Sequence, residues 1–308
     1  MQEPPEIDLA DTLKHFGLRP LDQGHGLEGG EDNVNIAVAT DHGTVVVRRY
    51  ELTPPELVDA ELELVDFLAA EGYPTPPPLH TVTGARMMDV ERPIAVFPFV
   101  EGATPDGTDA DLAAELGDLL GRLHVLTSDW DDRRLRRIDR IRLLRDGAER
   151  EWRLTGGADF KQELLEFLQT RATYLEATLP RLPAGTLHHD LHHLNVLVRD
   201  GHVVAVLDFD EVNHGPLAID PLRTFHYVAS EDAEWRLPEA ISVGTLAAYT
   251  SRRTLSALER EALPALFDML NLVDAVDFLE DPPGDVTDVA QCRSLQVYRA
   301  NRDYLFAF

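Results

Sequence analysis

The segment 187–210 constrains the fold more than any other part of this chain. It has the pattern of a tight β-hairpin, with one short apolar strand at 195–199 and a second at 203–207. Asp200-Gly201 supplies the turn between the two strands. A hairpin returns the chain to the end at which it started, so polar residues on both sides of these strands are expected to meet there.

Three of the flanking residues carry side chains suited to chemistry. Asp190 and Asn195 lie in the loop that leads into the first strand, and Asp208 follows the second. Carboxylate and amide oxygens are hard ligands, which suit Mg²⁺ better than a soft metal. If Asp190 does not bind the metal, it is able to take a proton from an attacking hydroxyl. A base together with an Asn and an Asp on the metal is the arrangement of phosphoryl transfer in kinases.

The rest of the chain divides into a strand-rich first part and a helical second part. Strands are expected at 33–40, 44–49 and 93–100, with a helix from Pro54 to about Glu71 between the last two,. Apolar residues at helical spacing predict further helices at about 109–126, 159–179, 238–250 and 263–279,. This order predicts an α+β protein with a small antiparallel-sheet domain, residues 1–101, and a mainly helical domain, residues 102–308.

Charge and composition exclude several classes of partner. The chain has 308 residues and a formal net charge of −27, which repels nucleic acid and anionic membrane surfaces. Cys292 is the only cysteine, as fits a reducing cytoplasm. The N-terminus lacks a signal-peptide pattern, and no apolar run approaches the ~18 residues of a membrane span. We therefore expect a cytoplasmic protein with no nucleic-acid or membrane partner, and the oligomeric state stays open.

The hairpin segment also resembles a known family. His188-x-Asp190-Leu191-His192-x-x-Asn195, with Asp208 thirteen residues further on, is similar to the Brenner-type motif of aminoglycoside phosphotransferases. That superfamily includes choline, homoserine and methylthioribose kinases. The resemblance implies a bilobal protein-kinase-like fold, ATP and Mg²⁺ as cofactors, and a hydroxyl of a small molecule as the phosphate acceptor. It assigns Asp190 as the catalytic base, His188 as a brace of the catalytic loop, and Asn195 and Asp208 as metal ligands.

The resemblance extends over the N-terminal part and beyond the motif. It implies these nucleotide-binding residues: Gly29 and Gly30 in the loop over the phosphates, Arg48 as the phosphate-contacting base, Glu61 as its helix partner, and Phe99 and Val100 in the adenine hinge. Asp220 matches the family's structural aspartate. Two departures stand out. His189 replaces the usual glycine, and Arg49 next to Arg48 leaves open which arginine contacts phosphate.

The acceptor is expected to be a small polar alcohol, such as an amino alcohol, a sugar or an aminoglycoside-like antibiotic. An amine on the acceptor would pair with carboxylates of the second domain. Asp274 and Asp277 are three residues apart on a predicted helix and so share a face. The candidate substrate residues are Asp210, Glu211, Asp274 and Asp277.

Several alternatives remain at this point. One is a non-catalytic nucleotide-binding regulatory module with a kinase fold, against which the complete set of motif residues argues. A homoserine- or choline-type metabolic kinase is another. A protein kinase is disfavoured, because eleven residues between Asp208 and Asp220 leave little room for a peptide-docking segment. The histidines at 188–193 suggest zinc, but no accompanying ligand pattern supports it. The arginine-rich segment 133–153 is interpreted as a solvated helix face rather than an RNA site.

Overall fold

A four-stranded antiparallel sheet occupies the N-terminal part of the chain, in the order β1-β2-β3-β4. The computed structural model describes residues 7–27, 33–302 and 304–307. The strands are β1 (His25–Gly26), β2 (Asn33–Thr40), β3 (Gly43–Tyr50) and β4 (Ile94–Pro98), and the accompanying helices are α1 (Leu9–His15) and α2 (Pro55–Ala70). The expected strands of this region are thus confirmed, with the third one shorter at both ends.

Alternation along β3 sends its side chains to the two faces of the sheet. Val47 lies on one face, in a core that it shares with Leu13 of α1. Tyr50 lies on the opposite face, packed against Val58 of α2. Because Arg48 follows Val47 directly, it belongs to the face of Tyr50 and α2, where a polar group on that helix is able to reach it.

Helix α2 has the ends that the sequence predicts. It begins at Pro55, where the missing N–H of proline costs no helical hydrogen bond. It ends at Ala70, and Gly72 adopts a φ of 74°, a left-handed conformation that stops a helix. Glu61 is buried on this helix together with Leu64 and Leu68. Its carboxylate therefore faces inward, as its place beside the apolar stripe predicts.

The remainder of the described chain is mainly helical. Its helices are α3 (Ala110–Leu126), α4 (Arg140–Glu149), α5 (Gly157–Phe167), α6 (Thr173–Thr178), α7 (Ile219–Glu231), α8 (Glu239–Arg252), α9 (Ala257–Glu280) and α10 (Arg293–Asn301). Two antiparallel strand pairs lie among them in the sequence: β5 (Ala184–Leu187) with β8 (Asn213–Pro216), and β6 (Val196–Arg199) with β7 (His202–Val206). The β6–β7 pair confirms the predicted hairpin. None of the described helices is both long and apolar enough to cross a membrane.

Two helical regions differ from the expectation. The helix expected at 159–179 is interrupted by a π-helical turn at 168–172, where the Thr170 hydroxyl donates to the Glu166 carbonyl oxygen at 2.8 Å. Such a bond competes with the regular helical ladder. The apolar pattern does not predict α7, because buried polar residues, among them Arg223 and His226, interrupt its stripe. Helix α7 carries two side chains that lie against Asp190.

Contacts among Cα atoms divide the chain into two compact units. The first comprises residues up to 104 together with 132–135 and 194–210, and the second comprises 105–131, 136–193 and the residues from 211 onward. The β6–β7 hairpin therefore lies in the same unit as the N-terminal sheet. The domain boundary between residues 101 and 102 stays a prediction.

Candidate active site

In the second unit, donors surround the carboxylate of Asp190. The Tyr227 hydroxyl donates a short hydrogen bond to Oδ1, and Nη2 of Arg223 lies 3.7 Å from the same oxygen. On the other side, Nε2 of His192 lies 3.4 Å from Oδ2. The Asp190 side chain is 19% exposed, so it stays accessible to a small molecule while most of its surface is enclosed by the protein.

These donors set the charge state of Asp190. Burial by itself raises the pKa of a carboxyl group, but the hydrogen bond and charge of His192, the Tyr227 hydroxyl and the Arg223 guanidinium together lower the pKa of Asp190 to about 2,. Asp190 is therefore ionised throughout the physiological pH range. An ionised carboxylate is an acceptor only, which is the form that orients a hydroxyl group.

Asp220, at the start of α7, fixes the backbone of the loop that carries Asp190. Its two carboxylate oxygens accept the N–H groups of His188 at 2.9 Å and His189 at 2.8 Å. His124 of α3 contacts Asp220 Oδ2 through Nε2 at 2.9 Å. The Asp190 N–H in turn donates to Nδ1 of the fully buried His188 at 3.3 Å. The geometry is that of the brace expected for His188, whose role stays a prediction.

His189 occupies the position where glycine is usual, and its backbone explains why. Its φ is 68°, in the left-handed region that few non-glycine residues adopt. Contacts to its carbonyl oxygen and to its imidazole ring hold it in this conformation. Arg223 Nε donates to the His189 carbonyl oxygen at 2.9 Å, and Arg140 Nη2 lies 2.9 Å from its Nε2. Burial and the charges of both arginines lower the pKa of His189 to about 3, so its imidazole is neutral and accepts a hydrogen bond from Arg140.

The first unit contains the second group of predicted residues, centred on Arg48. Its Nη2 lies 2.6 Å from Asp208 Oδ1 and 3.2 Å from Asp210 Oδ2. Asn33 Nδ2 also donates to Asp210 Oδ2, at 3.0 Å. Arg49 pairs instead with Glu51, at 2.5 Å. Of the two adjacent arginines, Arg48 is therefore the one beside the carboxylate predicted to bind metal.

The ion pair expected between Arg48 and Glu61 does not form within 4 Å. Glu61 Oε1 accepts the Tyr50 hydroxyl at 2.8 Å instead, because the carboxylates of Asp208 and Asp210 compete for the single guanidinium. Glu61 Oε2 and Arg48 Nε are both buried without a hydrogen bond among the described residues. Burial raises the pKa of Glu61 to about 7, although Arg48 and Tyr50 oppose the rise.

Asn195 and Asp208, the predicted metal ligands, come from adjoining parts of the first unit. The Leu207 N–H donates to the Asn195 carbonyl oxygen at 2.8 Å, which ties the start of β6 to the residue before Asp208. Asp208 itself has a φ of 61°. Burial, and next the negative charge of Asp208, raise the pKa of Asp210. Two carboxylates thus share one guanidinium, and either a proton or a divalent cation would relieve the repulsion between them.

The residues of the expected adenine hinge are described by the structure, whereas the glycines of the expected phosphate loop are not. The Phe99 N–H donates to the Thr44 carbonyl oxygen at 3.1 Å, so an adenine donor would have to come from a neighbouring amide such as that of Val100. Phe99 is 40% exposed. Gly29 and Gly30 lie outside the described residues. A Cβ at Gly102 would lie 2.8 Å from Leu197 Cβ, which explains why the chain needs glycine where it passes β6.

The sequence of this chain matches a known enzyme family. Residues 23–255 match the model of the phosphotransferase enzyme family. The chain belongs to this family. A homoserine kinase of Pseudomonas aeruginosa is 32% identical to this phosphotransferase over 272 residues, which cover 83% of this chain and 81% of the relative. A homoserine kinase of Methylocella silvestris is 28% identical over 290 residues, covering 92% and 89%.

Solved structures show the same fold as this phosphotransferase. An amicoumacin kinase, solved with AMP-PNP, Ca²⁺ and its antibiotic, has a TM-score of 0.71 at 15% identity, covering 98% of this chain and 96% of that one. A microcompartment-associated aminopropanol kinase has a TM-score of 0.67 at 18% identity, covering 96% and 95%. The predicted kinase-like α+β fold is confirmed. With its family and its relatives, the chain is an ATP-dependent kinase of a small-molecule hydroxyl.

The four carboxylates expected to bind the acceptor are not equivalent in this kinase. Asp274 on α9 makes a short ion pair with Arg223 Nη1, and Asp277 is exposed on the same helix. Glu211 is also exposed. Asp210 differs, because it lies beside Arg48 and Asn33 in the first unit. An acceptor role for each of them stays a prediction, and Asp274 is the one that shares a partner with Asp190.

Two residues of this site are not predicted by the sequence pattern. Arg223 and Tyr227 contact Asp190 from α7, a helix that the apolar pattern does not predict. Neither belongs to a recognised motif. The available signal is their spacing: four residues apart on one helix places them on one face, downstream of Asp220, which the family resemblance identifies.

Proposed function

We propose that this kinase transfers the γ-phosphoryl group of Mg·ATP to the side-chain hydroxyl of a small amino acid, with L-homoserine as the acceptor. The observation that carries the proposal is the 32% identity to a homoserine kinase over 83% of this chain. The acidic residues Asp274 and Asp277 on α9 also suit an acceptor with an ammonium group. Of the acceptors that the sequence leaves open, the proposal selects L-homoserine rather than an aminoglycoside-like antibiotic.

Asp190 is the residue proposed to act on the acceptor. The acceptor hydroxyl donates a hydrogen bond to the Asp190 carboxylate and attacks the γ-phosphorus. A new P–O bond forms, the bond to the bridging β,γ-oxygen breaks, and ADP leaves with that electron pair. Since the pKa of Asp190 is about 2, the carboxylate takes the proton late, once bonding to phosphorus has made the hydroxyl strongly acidic. Such a base orients the acceptor, which suits a loose transition state.

Asn195 and Asp208 are proposed to hold Mg²⁺, which when bound would neutralise phosphate charge. The donor set fits, because an amide oxygen and a carboxylate are hard ligands and the carboxylates of Asp208 and Asp210 share a single guanidinium,. No cluster of three or more His, Cys, Asp or Glu side chains with metal-binding geometry occurs among the described residues. The site would therefore be completed by the phosphates and water, as is usual for Mg²⁺.

The acceptor side of the proposal rests on charge. L-Homoserine carries an ammonium group and a carboxylate in addition to its hydroxyl. Asp274 and Asp190 both lie against the guanidinium of Arg223. An acceptor whose hydroxyl reaches Asp190 would therefore place its ammonium group within reach of Asp274. A neutral sugar would form at most a hydrogen bond with this carboxylate, without the ion pair that an ammonium group makes.

An acceptor panel tests the proposed function. Purified enzyme is assayed for ADP release with L-homoserine, choline, ethanolamine, 3-aminopropan-1-ol, glucose and kanamycin, each with MgCl₂ and ATP. We expect the highest kcat/KM with L-homoserine. Asp190→Asn, purified in the same way, controls for contaminating kinases. A preference for kanamycin or glucose, or no turnover with L-homoserine, would contradict the proposal.

A further inference from the structure

Helix α7 presents two polar side chains to Asp190. Arg223 and Tyr227 are four residues apart and so lie on one face of the helix. The Tyr227 hydroxyl donates to Asp190 Oδ1, while Arg223 Nη2 lies 3.7 Å from that oxygen. Of these two contacts, the one from Tyr227 is the direct hydrogen bond.

The ring of Tyr227 is held in place from both sides. It stacks on the imidazole of His192, with ring centroids 3.8 Å apart and an angle of 19° between the planes. Arg223 Cζ lies 5.4 Å from the centroid of the same ring. Arg223 is itself fixed by the His189 carbonyl oxygen and by the carboxylate of Asp274. These neighbours restrict the ring and thereby hold its hydroxyl close to Asp190.

The direction of the hydroxyl proton follows from the same contacts. Arg223 Nη2 donates to the Tyr227 oxygen at 3.4 Å, and a guanidinium is a donor only. The Tyr227 proton is therefore left for Asp190. Burial, and next the negative charge of Asp190, raise the pKa of Tyr227 well above that of an ordinary tyrosine, although Arg223 opposes the rise. Tyr227 thus stays protonated and remains a donor at physiological pH.

We propose that Tyr227 is a positioning residue for phosphoryl transfer, which holds the Asp190 carboxylate in the rotamer that accepts the acceptor hydroxyl. The inference rests on the proposed role of Asp190 and extends it. His192 Nε2, near Oδ2, and Arg223 Nη2, near Oδ1, also face this carboxylate. Tyr227 acts through Asp190 and transfers no proton of its own, so removing its hydroxyl should matter only while Asp190 is present.

A double-mutant cycle tests this dependence. Tyr227→Phe keeps the ring stacked on His192 and removes only the donor. With L-homoserine as the acceptor, we expect kcat to fall by about 10- to 100-fold, the size of a lost hydrogen bond to a charged group. The KM for ATP should stay unchanged. In an Asp190→Asn background, the same substitution should change kcat by less than about twofold, because effects of coupled residues are not additive.

Tyr304→Phe is the matched control. Its hydroxyl lies 3.0 Å from the Ser242 hydroxyl, so this variant loses the same group at a site without Asp190. We expect its kcat to equal that of the wild type. A purely structural role for Tyr227 predicts equal losses in both backgrounds and would overturn the inference. Wild-type kcat in Tyr227→Phe would overturn it as well.

A second measurement needs no acceptor turnover. The ¹³Cγ resonance of Asp190, assigned by its loss in Asp190→Asn, is titrated with acid in wild type and in Tyr227→Phe. The titration midpoint should lie higher in the variant, because a donated hydrogen bond stabilises the carboxylate. An unchanged midpoint would contradict the inference. If Asp190→Asn keeps wild-type turnover while this midpoint moves, the proposed role of Asp190 fails and the contact with Tyr227 stands.

Discussion

The carboxylate of Asp190 and the carboxylates of Asp208 and Asp210 have opposite surroundings. Asp190 faces three donors from His192, Arg223 and Tyr227. Asp208 and Asp210 share the guanidinium of Arg48, and Asn33 donates a further hydrogen bond to Asp210. The pKa of Asp190 is accordingly lowered to about 2, whereas that of Asp210 is raised.

This difference separates two kinds of acidic site. Where the protein supplies the donors, a carboxylate is ionised and fixed before any substrate arrives, as a residue that orients a hydroxyl has to be. Where two carboxylates share one guanidinium, their mutual repulsion favours the uptake of a proton, and a bound cation would relieve it as well. Acidic residues of the same type, at closely spaced positions in the sequence, thus suit different tasks.

Among the variants of these carboxylates, Asp190→Asn is expected to have the largest effect on activity. Loss of the ionised acceptor should lower kcat by about 10²- to 10⁴-fold and leave ATP affinity unchanged, because Asp190 acts on the acceptor. Steady-state kinetics and nucleotide titration measure the two quantities. Asp200→Asn, an exposed turn residue with a φ of 53° that asparagine tolerates, is the control. Wild-type turnover in Asp190→Asn would remove Asp190 from the mechanism.

The raised pKa of Glu61, a third carboxyl group near Arg48, predicts that protein stability depends on pH. Its pKa is raised from 4.5 to about 7, so the folded state binds this proton more tightly than the unfolded state does. Stability from Glu61 is therefore full below about pH 4.5 and is lost as the pH rises through 7. Glu61→Gln should remove roughly 2–4 kcal/mol of this pH dependence.

Urea unfolding at pH 5 and pH 8 measures this change for wild type and Glu61→Gln. Glu71→Gln, at the exposed C-terminal end of the same helix, is the matched control and should retain the wild-type difference between the two pH values. An identical pH dependence in Glu61→Gln and wild type would show that Glu61 is not the buried titrating group.

Asp208→Asn tests whether the metal binds at Asp208 and Asp210, the two carboxylates that share the guanidinium of Arg48. Asparagine tolerates the positive φ of this position, so the change removes charge without adding backbone strain. We expect affinity for ATP in the presence of Mg²⁺ to fall by about 10- to 100-fold, with little change in its absence. Calorimetric titration of ATP with MgCl₂ or with EDTA gives both values. If Mg²⁺ raises the affinity for ATP by the same factor in the variant and in the wild type, the metal binds elsewhere.

The smallest expected effect concerns the exposed acceptor carboxylate. Asp277→Ala should raise the KM for L-homoserine by about 2- to 5-fold, as fits a solvent-exposed ion pair, while the KM for ATP stays constant. Asp281→Ala, just beyond the end of α9, serves as the comparison. If both variants raise the KM equally, the effect is one of overall charge and Asp277 has no specific contact with the amine.

The sequence by itself determined the fold class, the reaction and the residues of the hairpin motif. Local spacing is enough to bring Asn195 close to the residue before Asp208, because the two strands that they flank are joined by one tight turn. Helix ends such as those of α2 are readable for the same reason, since proline and glycine act on their own backbone. The family resemblance added Asp220, which braces the loop.

Tertiary structure alone decided what surrounds each carboxylate. Tyr227 and Arg223 reach Asp190 across more than thirty positions of sequence, from a helix whose buried polar residues hide its periodicity. The partner of Arg48 is likewise a matter of packing: the sequence suggests Glu61, and the folded chain supplies Asp208. Charge pairing depends on the distance between the groups and on their burial, and neither quantity can be predicted from the local pattern of residues.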